Sequence, residues 1–131
     1  MDMGGCEMSK NNIPSEEDFR RAEIADRERH RGLSEVRDYI LNRFSKDGVH
    51  ETFILFSPEK DTFGAFVFYR WDRQIEEAEE SGLASQIKDV VFDELENVGR
   101  GNRNTIRVDF EFDSHENVEQ NYEGDYYNRL R

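Results

Sequence analysis

The sequence has very little cysteine and no long apolar run. Its 131 residues include one cysteine, Cys6, so an intramolecular disulfide is excluded. No apolar segment approaches the roughly 20 residues of a membrane-spanning helix, and no charged-then-apolar segment predicts a signal peptide. These absences favour a reducing compartment, and we expect a cytoplasmic location.

Positive charge is also scarce. Thirty Asp and Glu residues stand against eighteen Lys and Arg residues, which gives a formal net charge of −12. Most of the excess lies in residues 49–131, where nineteen acids are set against nine bases. Such a field repels phosphate backbones and anionic lipid, so we expect neither nucleic acid nor membrane as a partner. Acidity also keeps any soluble protein dispersed, and by itself it identifies no partner.

Recognisable catalytic and metal-binding motifs are missing. The sequence has no DxDxDG calcium loop, no HExxH, no CxxC and no GxSxG, and the loop GRGN at 99–102 lacks the lysine of a phosphate-binding loop. The three histidines, His30, His50 and His115, are scattered. We therefore predict a protein that is not an enzyme, with no catalytic residues, no metal ligands and no cofactor.

Length and aromatic content indicate a folded domain. A chain of this size is close to the usual size of one domain, and ten Phe, five Tyr and one Trp are many bulky side chains for a disordered chain. Residues 1–14 mix Gly, Asn, Ser and Met without a period and predict a flexible tail. Residues 15–131 are predicted to form one domain.

Helical and strand patterns alternate along that domain. Residues 15–31 predict a charged, mostly exposed helix, and residues 33–44 predict a helix packed on the core. Two apolar runs, 50–57 and 62–71, are joined by PEKD and predict a hairpin. Helical patterns return over residues 72–98.

The strictest pattern is TIRVDFEFD, in which charged residues alternate with Ile106, Val108, Phe110 and Phe112. A period of two predicts a strand with one buried face and one charged face. Residues two apart on a strand are about 6.6 Å apart, so Asp109, Glu111 and Asp113 should form an acidic row. The elements together predict an α+β fold: a single domain with an antiparallel sheet of three to four strands and helices packed on it.

More acids and several tyrosines follow this row. Residues 108–127 contain seven carboxylates and no Lys or Arg. Tyrosine supplies contact area with few torsions to freeze, and rows of carboxylates accelerate association with a basic partner. We predict that the partner-binding residues are Asp109, Glu111, Asp113, Glu116, Glu123, Asp125, Tyr126 and Tyr127.

Other interpretations of the same acids stay open. Oxygen ligands suit divalent cations, so the carboxylates of residues 109–116 are also compatible with a small metal-dependent hydrolase. A generic acidic adaptor or self-associating module is a further alternative. Alternating acids on a half-buried strand are more often its solvated side than a metal site.

The order of elements carries a resemblance. FVFYRW closes the paired strands, DELENVG closes a long helix, and VDFEFDSHENVEQNYEGDYYNRLR follows. This arrangement resembles small cytoplasmic immunity proteins of bacterial polymorphic toxin and contact-dependent inhibition systems, including the YezG-like group. The resemblance covers residues 33–131, and the helix at 15–31 has no counterpart in it. It implies a protein that binds and neutralises a cognate toxin domain, often a basic nuclease. It carries over no individual contact residue, and it leaves the toxin and the oligomeric state open.

Overall fold

The computed structural model describes residues 15–131, and the chain divides into two compact units between Arg31 and Gly32. The described part of the first unit is helix α1, Glu16–His30. Ser15 caps it, because its side chain accepts a hydrogen bond from the Asp18 N–H while the Asp18 carboxylate accepts one from the Ser15 N–H. No residue of α1 is buried, as its charged sequence predicts. The predicted tail, residues 1–14, lies outside the described residues.

The second unit, residues 32–131, contains a sheet and the helices packed on it. Its elements are α2 (Leu33–Phe44), a 3-10 turn (Ser45–Asp47), β1 (Val49–Ser57), β2 (Thr62–Tyr69), α3 (Arg73–Ser81), α4 (Leu83–Asn97), β3 (Val108–Ser114), α5 (His115–Asn121) and α6 (Tyr126–Leu130). Gly82 separates α3 from α4 in a left-handed conformation, φ 89°, that glycine adopts without strain. The predicted α+β class is confirmed.

The sheet has three strands in the order β1-β2-β3. Strands β1 and β2 form the predicted antiparallel hairpin, but β3 runs parallel to β2, so the sheet is mixed. The prediction of an antiparallel sheet was therefore wrong for β3. The reason is the connection: α3 and α4 carry the chain from the end of β2 back to its start, and a crossover of this kind delivers a parallel strand.

The core lies between one face of the sheet and the long helices. Buried side chains of α2 and α4 pack there against the inward residues of the strands. Fully buried members from the helices are Val36, Ile40, Phe44, Ile87, Val91 and Leu95. Within each helix these residues are four positions apart, which produces one apolar stripe on each helix.

The opposite face of the sheet, here called the open face, includes three rows of three residues and, beyond them, the pair Ser57 and Thr62. Strand pairing aligns Glu51, Phe68 and Asp113 in the covered row; Phe53, Phe66 and Glu111 in the middle row; and Leu55, Gly64 and Asp109 in the outer row. Because strand residues alternate between faces, the acidic row predicted from β3 lies on this side.

Candidate functional site

The C-terminal segment folds back over the covered row. The ring of Tyr126, in α6, meets the ring of Phe68 edge-on, with centroids 4.9 Å apart, and it lies 5.7 Å from the ring of Phe53. Phe68 is completely buried as a result, although it points away from the main core. A small aromatic cluster therefore attaches α6 to the open face.

Two histidines extend this cluster. Nδ1 of His115 lies 2.7 Å from the Tyr126 hydroxyl and shares a hydrogen bond with it, and the His115 ring centroid is 4.2 Å from that of His50. Burial lowers the pKa of His50, and the neighbouring His115 and Arg70 lower it further, against a smaller opposing effect of Glu51.

The Tyr126 hydroxyl is a poor acid in this place. Burial raises the pKa of Tyr126 to about 12, and the carboxylates of Glu51, Glu119 and Asp113 add to the shift. Tyr126 thus acts as a neutral, half-buried contact between α6, α5 and the sheet. Its neighbour Tyr127 is 79% exposed.

Arg129 in α6 neutralises part of the acidic row. Its Nε donates to Oδ2 of Asp113 at 2.6 Å, and its Nη2 donates to Oε1 of Glu111 at 3.0 Å. The side chains of Arg129 and Asp113 are only 18% and 13% exposed. Burial alone would lower the pKa of Arg129, but the hydrogen bonds to Asp113 and Glu111 outweigh it and raise that pKa.

Asp113 and Glu116 also hold the backbone and neighbouring side chains in place. Asp113 accepts hydrogen bonds from the Asn117 side chain and from the Ser114 N–H. The Ser114 hydroxyl donates to Asp72 and accepts from the Asn117 N–H, which caps α5. Glu116 accepts from the Asp72 N–H at 2.8 Å. These two carboxylates therefore have structural partners within the protein.

The structure distributes the eight predicted residues over three places. Asp109, Glu111, Asp113, Tyr126 and Tyr127 lie on the open face or on the helix that covers it. Glu116 lies on α5. The turn before α6 contains Glu123, at φ 54°, and Asp125, whose carboxylate caps α6 by accepting from the Asn128 N–H. Their role in binding a partner stays a prediction.

An apolar groove lies beside α6 and was not predicted. It has a volume of about 430 Å³ and is lined by Phe53, Leu55, Tyr127, Leu130 and Arg131. Leu55 is 41% exposed. The alternation of β1 contains the signal, since Leu55 must point away from the face that buries Ile54, but the nearly continuous apolar run obscures it.

The outer row has an acid without a partner. Within residues 15–131 the Asp109 side chain makes no ion pair or hydrogen bond. Next to it, Gly64 provides space for the ring of Phe66: a Cβ atom built at Gly64 would lie 3.2 Å from Cε2 of Phe66. An aromatic ring and an exposed carboxylate are thus adjacent at the uncovered end of the sheet.

Among the described residues 15–131, no group of three or more His, Cys, Asp or Glu side chains is placed to hold a metal ion. None of the helices in that same range has the length and apolar character needed to cross a membrane. The fold and the site define a small acidic α+β protein with a partly covered sheet face. Comparisons with protein-family models, curated proteins and solved structures found no match to this chain.

Proposed function

We propose that this protein is a cytoplasmic immunity protein, which binds a cognate bacterial toxin domain and neutralises it by stoichiometric inhibition. The toxin domain that fits best is a basic nuclease. One observation carries the proposal: the exposed Glu111 and the exposed Asp109, which has no charged partner within residues 15–131, lie on the same face of the sheet as the groove residues Phe53 and Leu55.

Charge supports a cationic partner. The protein has a net charge of −12, and Asp109 and Glu111 are both exposed at the uncovered end. A nuclease must attract phosphate and therefore presents a basic surface, which such a face attracts and steers during diffusion. The carboxylates raise the rate of association with a basic partner and make binding selective, while the groove supplies apolar contact area.

The metal-dependent hydrolase has less support from the geometry of residues 109–116. Asp113 is bound by Arg129 and Asn117, Glu116 is bound to the Asp72 N–H, and Nδ1 of His115 is bound to Tyr126. These groups form the frame of the C-terminal segment. An adaptor of unspecified partner remains the second candidate, because the same exposed groove would serve it.

The test starts from the reading frame adjacent to this gene, which the proposal expects to encode a basic toxin domain. Purified toxin is titrated with purified protein while its activity is followed. We expect activity to end at one protein per toxin, and calorimetry at low salt to give the same stoichiometry. Asp109→Lys should weaken binding at least about tenfold and reduce its salt dependence. Glu80→Lys, an equal charge change at an exposed site in α3, should have little effect.

Two results would contradict the proposal at different levels. Full toxin activity in the presence of a tenfold excess of protein would exclude immunity toward that toxin. Inhibition with equal sensitivity to Asp109→Lys and Glu80→Lys would place the interface elsewhere on the protein.

A further inference from the structure

The uncovered end of the open face has the features of a binding place for one arginine side chain. We propose that the partner inserts an arginine whose guanidinium lies over Phe66, between the carboxylates of Asp109 and Glu111. The inference rests on the proposed function and specifies the chemistry by which that face recognises its partner.

The protein's own Arg129 is held in this way. The guanidinium carbon of Arg129 lies 5.8 Å from the centroid of Phe68, and its nitrogens bind Asp113 and Glu111. The guanidinium stacks on a ring from β2, and it donates hydrogen bonds to two carboxylates at successive outward positions of β3. This combination suits a planar cation that stacks and donates several hydrogen bonds at once.

The same arrangement repeats one row further along the sheet. Strands β2 and β3 are parallel and in register, with Phe68 opposite Asp113, Phe66 opposite Glu111, and Gly64 opposite Asp109. In the middle row, Phe66 therefore takes the place that Phe68 has in the covered row, as the ring on which a guanidinium can stack. The pair of carboxylates becomes Glu111 and Asp109 in place of Asp113 and Glu111.

This second place is accessible. Glu111 binds Arg129 through Oε1 and its side chain remains 54% exposed. Asp109 is exposed and has no charged partner within residues 15–131. Because Gly64 has no side chain, nothing from the outer row of β2 covers the ring of Phe66. At this end of the sheet, the Phe66 ring and the carboxylates of Asp109 and Glu111 thus form a place for a cation that no residue of the described chain fills.

Arginine fits this place better than lysine. The guanidinium is planar, stacks on aromatic rings and pairs with two carboxylates, whereas an ammonium is a compact, strongly hydrated charge. The apolar groove beside Phe53 and Leu55 would receive an apolar residue adjacent to the arginine. A second copy of this chain fits poorly, since it would bring an equally acidic face against this one.

The test is an NMR titration of the full-length, ¹⁵N-labelled protein at low salt. The probes are two capped dipeptides, acetyl-Leu-Arg-amide and acetyl-Leu-Lys-amide. We expect saturable shifts of the amides of Gly64, Phe66, Asp109 and Glu111 with the arginine peptide, and about three- to tenfold weaker binding of the lysine peptide. Asp109→Asn and Phe66→Leu should each weaken arginine binding by a similar factor, and Glu80→Gln should not.

Equal affinities for the two peptides would overturn the inference, and so would shifts centred on the acids of α3. Shifts at Leu55 and Tyr127 that grow with protein concentration and without peptide would also overturn it, because they would indicate self-association. Selective arginine binding without toxin inhibition would disprove the proposed function alone. Toxin inhibition that depends on Asp109, without preference for the arginine peptide, would disprove this inference alone.

Discussion

The two faces of the sheet are covered in different ways. The core face is covered by α2 and α4, of 12 and 15 residues, whose buried side chains form the main apolar cluster. The open face is covered at one end by α5 and α6, of 7 and 5 residues. The exposed acids of the sheet that we propose for partner binding, Asp109 and Glu111, lie where this coverage ends.

The covering helices also differ in what holds them. Long helices gain stability from an apolar stripe, whereas helices of five to seven residues have little stability of their own. Within the described chain, α6 is attached by the Tyr126 ring and by the ion pairs of Arg129. We expect the C-terminal segment to open locally at a lower free energy than the core face.

The largest expected difference between the faces comes from removing a leucine from each. Leu95→Ala should lower the free energy of unfolding by about 2–5 kcal/mol, because it opens a cavity in the core. Leu55→Ala, on the half-covered open face, should cost under about 1 kcal/mol. Urea denaturation monitored by circular dichroism measures both. Similar losses for the two variants would show that the faces contribute equally to stability.

A smaller effect is expected from the ion pair that holds α6. Arg129→Met keeps most of the side-chain length but leaves the nearly buried Asp113 without its cation, and should cost about 1–3 kcal/mol. Adding Asp113→Asn should recover part of the loss, since the unpaired charge is then removed. Hydrogen exchange should accelerate first in α6. If exchange accelerated equally in α4, the opening of α6 would not be local, and this prediction would be contradicted.

The smallest effect concerns pH. The folded-state pKa of His50 lies below its usual 6.5 through burial and through His115 and Arg70. Below about 6.5 the unfolded chain therefore binds more protons than the folded protein. Stability should fall as the pH drops from this value through the lower folded-state pKa. Between pH 7.5 and 5.5, the melting temperature of the His50→Gln variant should decrease less than that of the unaltered protein. An equal loss would assign the pH dependence to other groups.

Local patterns were sufficient to predict most elements. The charged helix at 15–31, the stripe of α2, the hairpin and the alternation of β3 depend on residues that are near one another in sequence, and the structure contains each of them. The direction of β3 was predicted wrongly, because a strand pattern has the same period in a parallel and an antiparallel sheet.

The candidate site was predictable only in part. Alternation placed Asp109, Glu111 and Asp113 on one face, and that placement follows from the geometry of any strand. The pairing of Asp113 with Arg129 joins residues sixteen positions apart through a turn whose path no local pattern specifies. The apolar groove likewise needs residues from β1 and α6.

By itself, the sequence determined the acidity of this protein, its helices and strands, and the residues that share a face of β3. These properties follow from side-chain chemistry and from the fixed periods of helix and strand. The tertiary structure decided which acids are neutralised and which stay exposed. That outcome depends on where distant segments meet, since a charge is paired or unpaired only by its neighbours in space.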